Sequence, residues 1–163
     1  MTQKLLDLAG IGAARLQLAW VSSAEAQRFV EVVSATTAAV KEQGPLDTKA
    51  FADALTAAEA TLTGETLRWM VGKEVTITTK GDVYGRKWDA RTFESLLDQV
   101  LEREYHKNLI LQAIKNGHTS VRAMSASIGI DLQRVSYLLA DMEKTSMVEF
   151  KGMEDSKPVF AAL

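Results

Sequence analysis

The side chains best suited to hold a metal or move a proton in this 163-residue chain are its two histidines, His106 and His118. Neither has the company such chemistry requires. A zinc site takes several convergent nitrogen, sulfur or oxygen donors, often with two of them one helical turn apart. No histidine or carboxylate lies four residues after either one, and His118 falls beside the turn signal Asn116-Gly117. Glu102 and Glu104 read as charges on a helix face, not as an acid–base pair in a cleft. Gly81 and Gly85, beside Lys80 and Lys87, lack the spacing of a phosphate-binding loop, and a turn accounts for both. Ser22 and Ser23 have no nucleophile elbow around them and read as a helix cap. The sequence has no cysteine, which excludes disulfides, thiolate nucleophiles and cysteine-held zinc or iron–sulfur sites. No set of acid, base, nucleophile or ligand emerges, and the expectation is a non-catalytic chain.

The elements that must position these residues follow from pattern. Leu5, Leu6, Leu8 and Ala9 mark a short helix closed by Gly10. Arg15 to Val21 alternates and ends in apolar residues, which predicts a strand with Trp20 in the core. Ser22 or Ser23 then caps a helix running to Gln43, and Gly44-Pro45 ends it. Asp47 or Thr48 caps the next helix, broken at Gly64. A shorter helix with Leu67, Trp69 and Met70 stops at Gly72. The β-branched run Glu74–Thr79, the turn Lys80-Gly81-Asp82 and the segment Val83–Trp88 predict a β-hairpin. Trp88, beside Arg86 and Lys87, is a candidate interface residue.

From Arg91 or Thr92 a long helix carries apolar residues at helical spacing to Ile114. Ser120 caps a short helix, Gly129 makes a turn, and Asp131 caps a third helix lined by Val135, Leu138, Leu139 and Met142. Met147–Phe150 and Pro158–Ala161 are short strands around a polar loop. Helix, short helix, glycine turn, helix and hairpin are the order of a winged helix-turn-helix domain. The third helix would be the DNA-reading one, with Arg122, Gln133, Arg134, Tyr137 and Lys144 as DNA-contact candidates. Over 131–144, however, Arg134 and Lys144 face Asp131, Asp141 and Glu143, a net charge of −1. That balance is poor for approaching phosphates and favours a protein-contact module. The whole chain is near neutral, with net charge −2, 47% hydrophobic and 25% charged residues, so no global basic field draws it to nucleic acid or membrane. No apolar run is long enough to span a bilayer. The amphipathic start at Met1-Thr2-Gln3-Lys4, with the lack of cysteine, predicts a cytoplasmic location.

Gly10-Ile11, Arg15-Leu16, Trp20-Val21-Ser22-Ser23-Ala24-Glu25, Phe29 and the closing Gly44-Pro45 together resemble the C-terminal part of the methyl-viologen-reducing hydrogenase delta subunit family. Members typically show GI-x-x-x-RL-x-L-x-W-[IV]-S-[AS]-x-E followed by a helix ending in Gly-Pro. Arg68–Glu74, Asp82–Gly85 and the winged helix are similar to bacterial relatives with a longer tail. The resemblance implies a cytosolic electron-transfer complex that relays electrons from a hydrogenase or formate dehydrogenase to a heterodisulfide reductase-like flavoprotein. The family's cluster-binding cysteines lie in an N-terminal half with no counterpart here. The resemblance therefore implies no cofactor on this chain, with the iron–sulfur cluster and flavin on partner subunits. Arg15, Trp20, Glu25 and Trp88 are the partner-contact candidates, and the strand at Arg15–Val21 would complete a partner's sheet. The fold expected is α+β: an N-terminal α/β remnant (helix–strand–helix) over 1–45, linking helices and a β-hairpin over 46–90, and a winged helix-turn-helix domain over 91–163. A DNA-binding transcriptional regulator is the alternative.

Overall fold

The leucines near the N-terminus wind into helix α1 (Thr2–Leu8), which ends where Gly10 turns to φ 72°. The computed structural model describes residues 1–163, in two units, 1–52 and 53–163. In the first unit α1 leads into a single 3-10 turn at Ala13–Arg15 and an irregular segment, then into α2 (Ala26–Gln43). Its buried apolar side chains are Leu5, Ala9 and Ile11.

The strand expected at Arg15–Val21 does not form. The protein's one sheet lies far along the chain, in the second unit. Alternation creates a face for a strand but supplies no pairing partner, and an unpaired strand leaves its amides and carbonyls unsatisfied. Trp20 is accordingly not in the core: it is 84% exposed. Nor do Ser22 and Ser23 cap α2. Glu25 takes the N-cap position without a side-chain cap bond, while the Ser22 hydroxyl accepts from the Ala24 amide at 3.4 Å.

The second unit opens with α3 (Ala52–Thr63) and α4 (Glu65–Val75), with Gly64 between them. Asn108 donates to the buried Thr61 hydroxyl at 2.9 Å, and Asn116 donates to Asp53 at 2.8 Å. These bonds lay α3 along α5 (Ala90–Lys115), the longest helix, about 39 Å from end to end. Asp89 caps α5 by accepting from the Thr92 amide at 3.0 Å. Its N-terminal half buries Phe93, Leu97 and Leu101, and it packs against α4, which buries Leu67 and Met70.

The hairpin expected over 74–88 is also absent. Gly72 does not stop α4, which continues to Val75 and passes into a π-helical turn at Thr76–Lys80. Threonines tolerate this because their hydroxyls bond back one turn. Thr78 donates to the Glu74 carbonyl at 2.7 Å, and Thr79 to that of Val75. The intended return strand is instead a tight loop around Asp82, whose carboxylate accepts from the amides of Tyr84 (2.8 Å) and Arg86 (3.0 Å).

Beyond α5 every expected element occurs. Ser120 caps α6 (Val121–Ile128), accepting from Ala123 at 3.3 Å. Gly129 takes the left-handed conformation, φ 68°, at the sharp turn that follows. Asp131 caps α7 (Leu132–Lys144), accepting from the amides of Gln133 and Arg134. β1 (Val148–Glu154) and β2 (Lys157–Ala162) pair antiparallel, with an irregularity between Phe150 and Gly152. The segment before α6 touches this hairpin: Phe160 donates to the Thr119 carbonyl at 3.0 Å, and Ser120 bridges Val159. The core beneath joins Ile110 and Ile114 of α5, Met124 of α6, Leu138 and Met142 of α7, and Val148 of β1. The molecule is thus α+β, with seven α-helices and a C-terminal two-stranded hairpin.

Candidate functional site

In the first unit the apolar residues that a core would normally take up lie in the open. Helix α2 runs for 18 residues and buries none of them. Phe29 is 58% and Val30 61% exposed, and Val33 lies beside them. In the irregular segment before it, Leu16, Leu18 and Trp20 are also exposed, Leu18 by 78%. These three fall at a spacing of two, which puts them on one side whenever the segment is extended. Patches of large exposed apolar residues mark surfaces made for contact.

Two of the sequence candidates in this unit have partners of their own. Arg15 donates to the carbonyls of Gly44 (3.0 Å) and Gln43 (3.1 Å) and so ties the end of α2 to the 3-10 turn. Glu25 accepts from the Ser22 amide at 2.8 Å and lies 3.5 Å from Arg28. Trp20, of the three, has no such partner and presents most of its surface to solvent. The spacing of apolar residues along α2 is that of a helix, and no local signal distinguishes a stripe facing a core from one facing outward.

In the second unit a groove follows α5. Its depression between α5 and α7, about 430 Å³, is lined by Leu96, Val100, Arg103, Arg134 and Tyr137 among others. A neighbouring depression of about 420 Å³ shares Leu96 and Gln99 and reaches Trp88 and Arg91. Trp88 is 42% and Tyr137 59% exposed. Trp88 is therefore placed with residues of α5. Sequence reading missed this groove because its two walls lie some forty residues apart in the chain.

Behind the groove, an ion-pair cluster joins α5 to α7. Asp141 lies 2.7 Å from both Arg103 and Lys107, and Lys107 also meets Glu104 at 3.2 Å. The hydrogen bonds from Lys107 and then Arg103 hold the Asp141 carboxyl below its ordinary range. His106 is half-buried, with its Nδ1 unpartnered. Burial pushes its pKa down, Glu102 pulls it up and Arg134 pushes it down. Burial raises the Tyr105 phenol to about 12. No three side chains among His, Asp and Glu converge as metal ligands, and the sequence has no cysteine.

The DNA-contact candidates are divided between α6, which carries Arg122, and α7, which carries the other four. Gln133 and Tyr137 are exposed on α7, but Arg134 is half-buried toward α5. Lys144 lies at the far end of α7, about 17 Å from Gln133 along the axis. Arg122 is exposed on α6.

Residues 1–44 match the family described as methyl-viologen-reducing hydrogenase, delta subunit. The matched stretch is α1, the 3-10 turn, the irregular segment and α2. No curated protein and no solved structure matches the chain. No helix is long and apolar enough to cross a membrane.

Proposed function

We propose that this protein is a non-catalytic subunit of a cytosolic electron-transfer complex, holding a redox partner through its N-terminal unit and docking a further protein through its C-terminal one. The observation that carries the reading is the coincidence of two facts in residues 1–44. This is the stretch that matches a hydrogenase subunit family, and its long helix α2 buries no residue while Leu18, Trp20, Phe29 and Val30 stand exposed. The electrons move on partner subunits that bear an iron–sulfur cluster and a flavin, in a relay from a hydrogenase or formate dehydrogenase to a heterodisulfide reductase-like flavoprotein. Leu16, Leu18 and Trp20 contribute an added strand at the edge of a partner's sheet, with main-chain hydrogen bonds supplying affinity and the three side chains specificity. The lack of a pairing strand within this chain supports that role. The C-terminal unit is a winged helix, as its order of elements and the contact of Thr119 and Ser120 with the hairpin support.

Anaerobic affinity purification of the tagged chain from its native cells tests the reading, with mass spectrometry and visible absorbance of what stays bound. Stoichiometric iron–sulfur and flavin subunits are expected with the natural chain. They are lost with Leu18→Asp, which puts a charge in the interface, and with Ala19→Pro, which removes a strand-pairing amide. Recovery of the chain alone, or equal capture by both variants, overturns the reading. Binding to duplex DNA with a steep salt dependence would replace it with a transcriptional regulator.

A further inference from the structure

We propose that the groove between α5 and α7 binds an acidic amphipathic helix of a partner protein. The inference rests on the docking role given above to the C-terminal unit and specifies what docks there. Thr92, Leu96, Gln99 and Arg103 succeed one another on α5 at spacings of three and four, so they form one continuous stripe. The stripe is about 17 Å long, or three helical turns, a length suited to a helix lying alongside. Leu96 and Val100 supply a half-buried apolar floor. Exposed aromatic rings stand at the two ends, Trp88 and Tyr137.

The charges decide the sign of the partner. Arg103 is neutralised by Asp141, but Arg91 and Arg134 form no ion pair. Two guanidiniums outside any ion pair, two aromatic rings and an apolar floor combine the residue types that anchor protein interfaces, and they outnumber the one carboxylate of the groove, Glu102. A helix seating apolar residues at i, i+4 and i+7 on Leu96 and Val100 carries its flanking carboxylates to Arg91 and Arg134. A basic helix would meet both guanidiniums. A nucleic acid is the poorer fit, because a phosphate chain needs a row of cations, and the groove offers two free ones with the Glu102 carboxylate among them.

The test is fluorescence anisotropy with a labelled four-turn peptide bearing leucine on one face and glutamate on the other. Its lysine counterpart and a thymidine oligonucleotide are titrated in parallel with the full chain. The glutamate peptide is expected to bind, more weakly as salt rises, and to lose about tenfold in affinity with Arg91→Glu and with Arg134→Glu. Leu96→Asp should abolish binding. Arg91 is exposed, so its variant keeps the native circular dichroism and remains informative if the others fold poorly. Equal binding of the lysine peptide, tighter binding of the oligonucleotide, no binding of the glutamate peptide, or unaltered affinity in Arg91→Glu overturns the proposal. The Leu18→Asp chain is expected to bind the peptide normally, so failure of this proposal is distinguishable from failure of the N-terminal interface.

Discussion

Asp141 is the carboxylate on which two cations of α5 depend, and Lys107 is 6% exposed. Replacing it with asparagine leaves Lys107 with Glu104 alone. The expected cost is about 2 kcal/mol, below the roughly 3–5 kcal/mol of a fully buried pair because Arg103 and Asp141 are partly solvated. Urea titration would show it as a lower midpoint with an unchanged slope. The acid response follows from sign. The Asp141 pKa is depressed in the folded state, so its contribution is complete above the ordinary value of 3.8 and is lost as pH falls through the depressed one. His106 is also depressed, from 6.5, chiefly by burial, so the unfolded chain takes up its proton first. Stability should therefore begin to fall below about pH 6.5, well before Asp141 titrates. Melting temperatures of His106→Gln between neutral pH and pH 5 should show a flatter dependence than the natural chain; an identical slope would assign the loss to other groups.

At the scale of elements, the turn after the π-helical stretch concentrates constraint. Gly81 has φ 93°, and a Cβ there would lie 3.1 Å from the Arg86 and Gly85 carbonyl oxygens. Gly129 has a similar φ, 68°, with nothing within 4 Å of an added Cβ. Gly129→Ala should therefore cost only the left-handed conformational penalty, about 1 kcal/mol. Gly81→Ala adds a collision with main chain that cannot rotate away, and should cost about 2 kcal/mol. Paired thermal melts decide it, and equal losses would mean that the loop around Asp82 yields to the extra carbon. Caps belong to the same scale. Asp89→Ala removes the acceptor for the Thr92 amide at the start of α5 and should cost about 1 kcal/mol.

For the whole molecule, the two units differ in how much they bury. Leu5, Ala9 and Ile11 are a small core for the 52 residues of the first unit. The second unit encloses a core drawn from α5, α6, α7 and β1, and buries Leu67, Met70, Phe93, Leu97 and Leu101 besides. The fragment 53–163 is therefore expected to unfold cooperatively by itself, and 1–52 to melt without a sharp transition until its apolar surface is covered. Differential scanning calorimetry of the two fragments would check this. A cooperative transition from 1–52 would show that three buried side chains and the Arg15 bonds suffice.

Residue order alone determined the sequence of elements from α5 to β2, because the helix starts and the glycine turn there have local physical causes, whereas the strands pair further into the expected loop, to Glu154 and Lys157. Asp89, Ser120 and Asp131 accept from amides within three residues of themselves, and Gly129 takes a conformation other residues avoid. The same locality made Gly44 readable as the end of α2. Tertiary structure decided the fate of Arg15–Val21 and of Val75–Trp88. A strand exists only when another pairs with it, and alternation or β-branching within a segment cannot say whether that partner is present. It also decided that Trp20, Phe29 and Val30 face outward and that Trp88 and Tyr137 stand at two ends of one groove. Which side of a helix or loop is covered depends on the elements that pack against it, and that information is distributed over the whole chain.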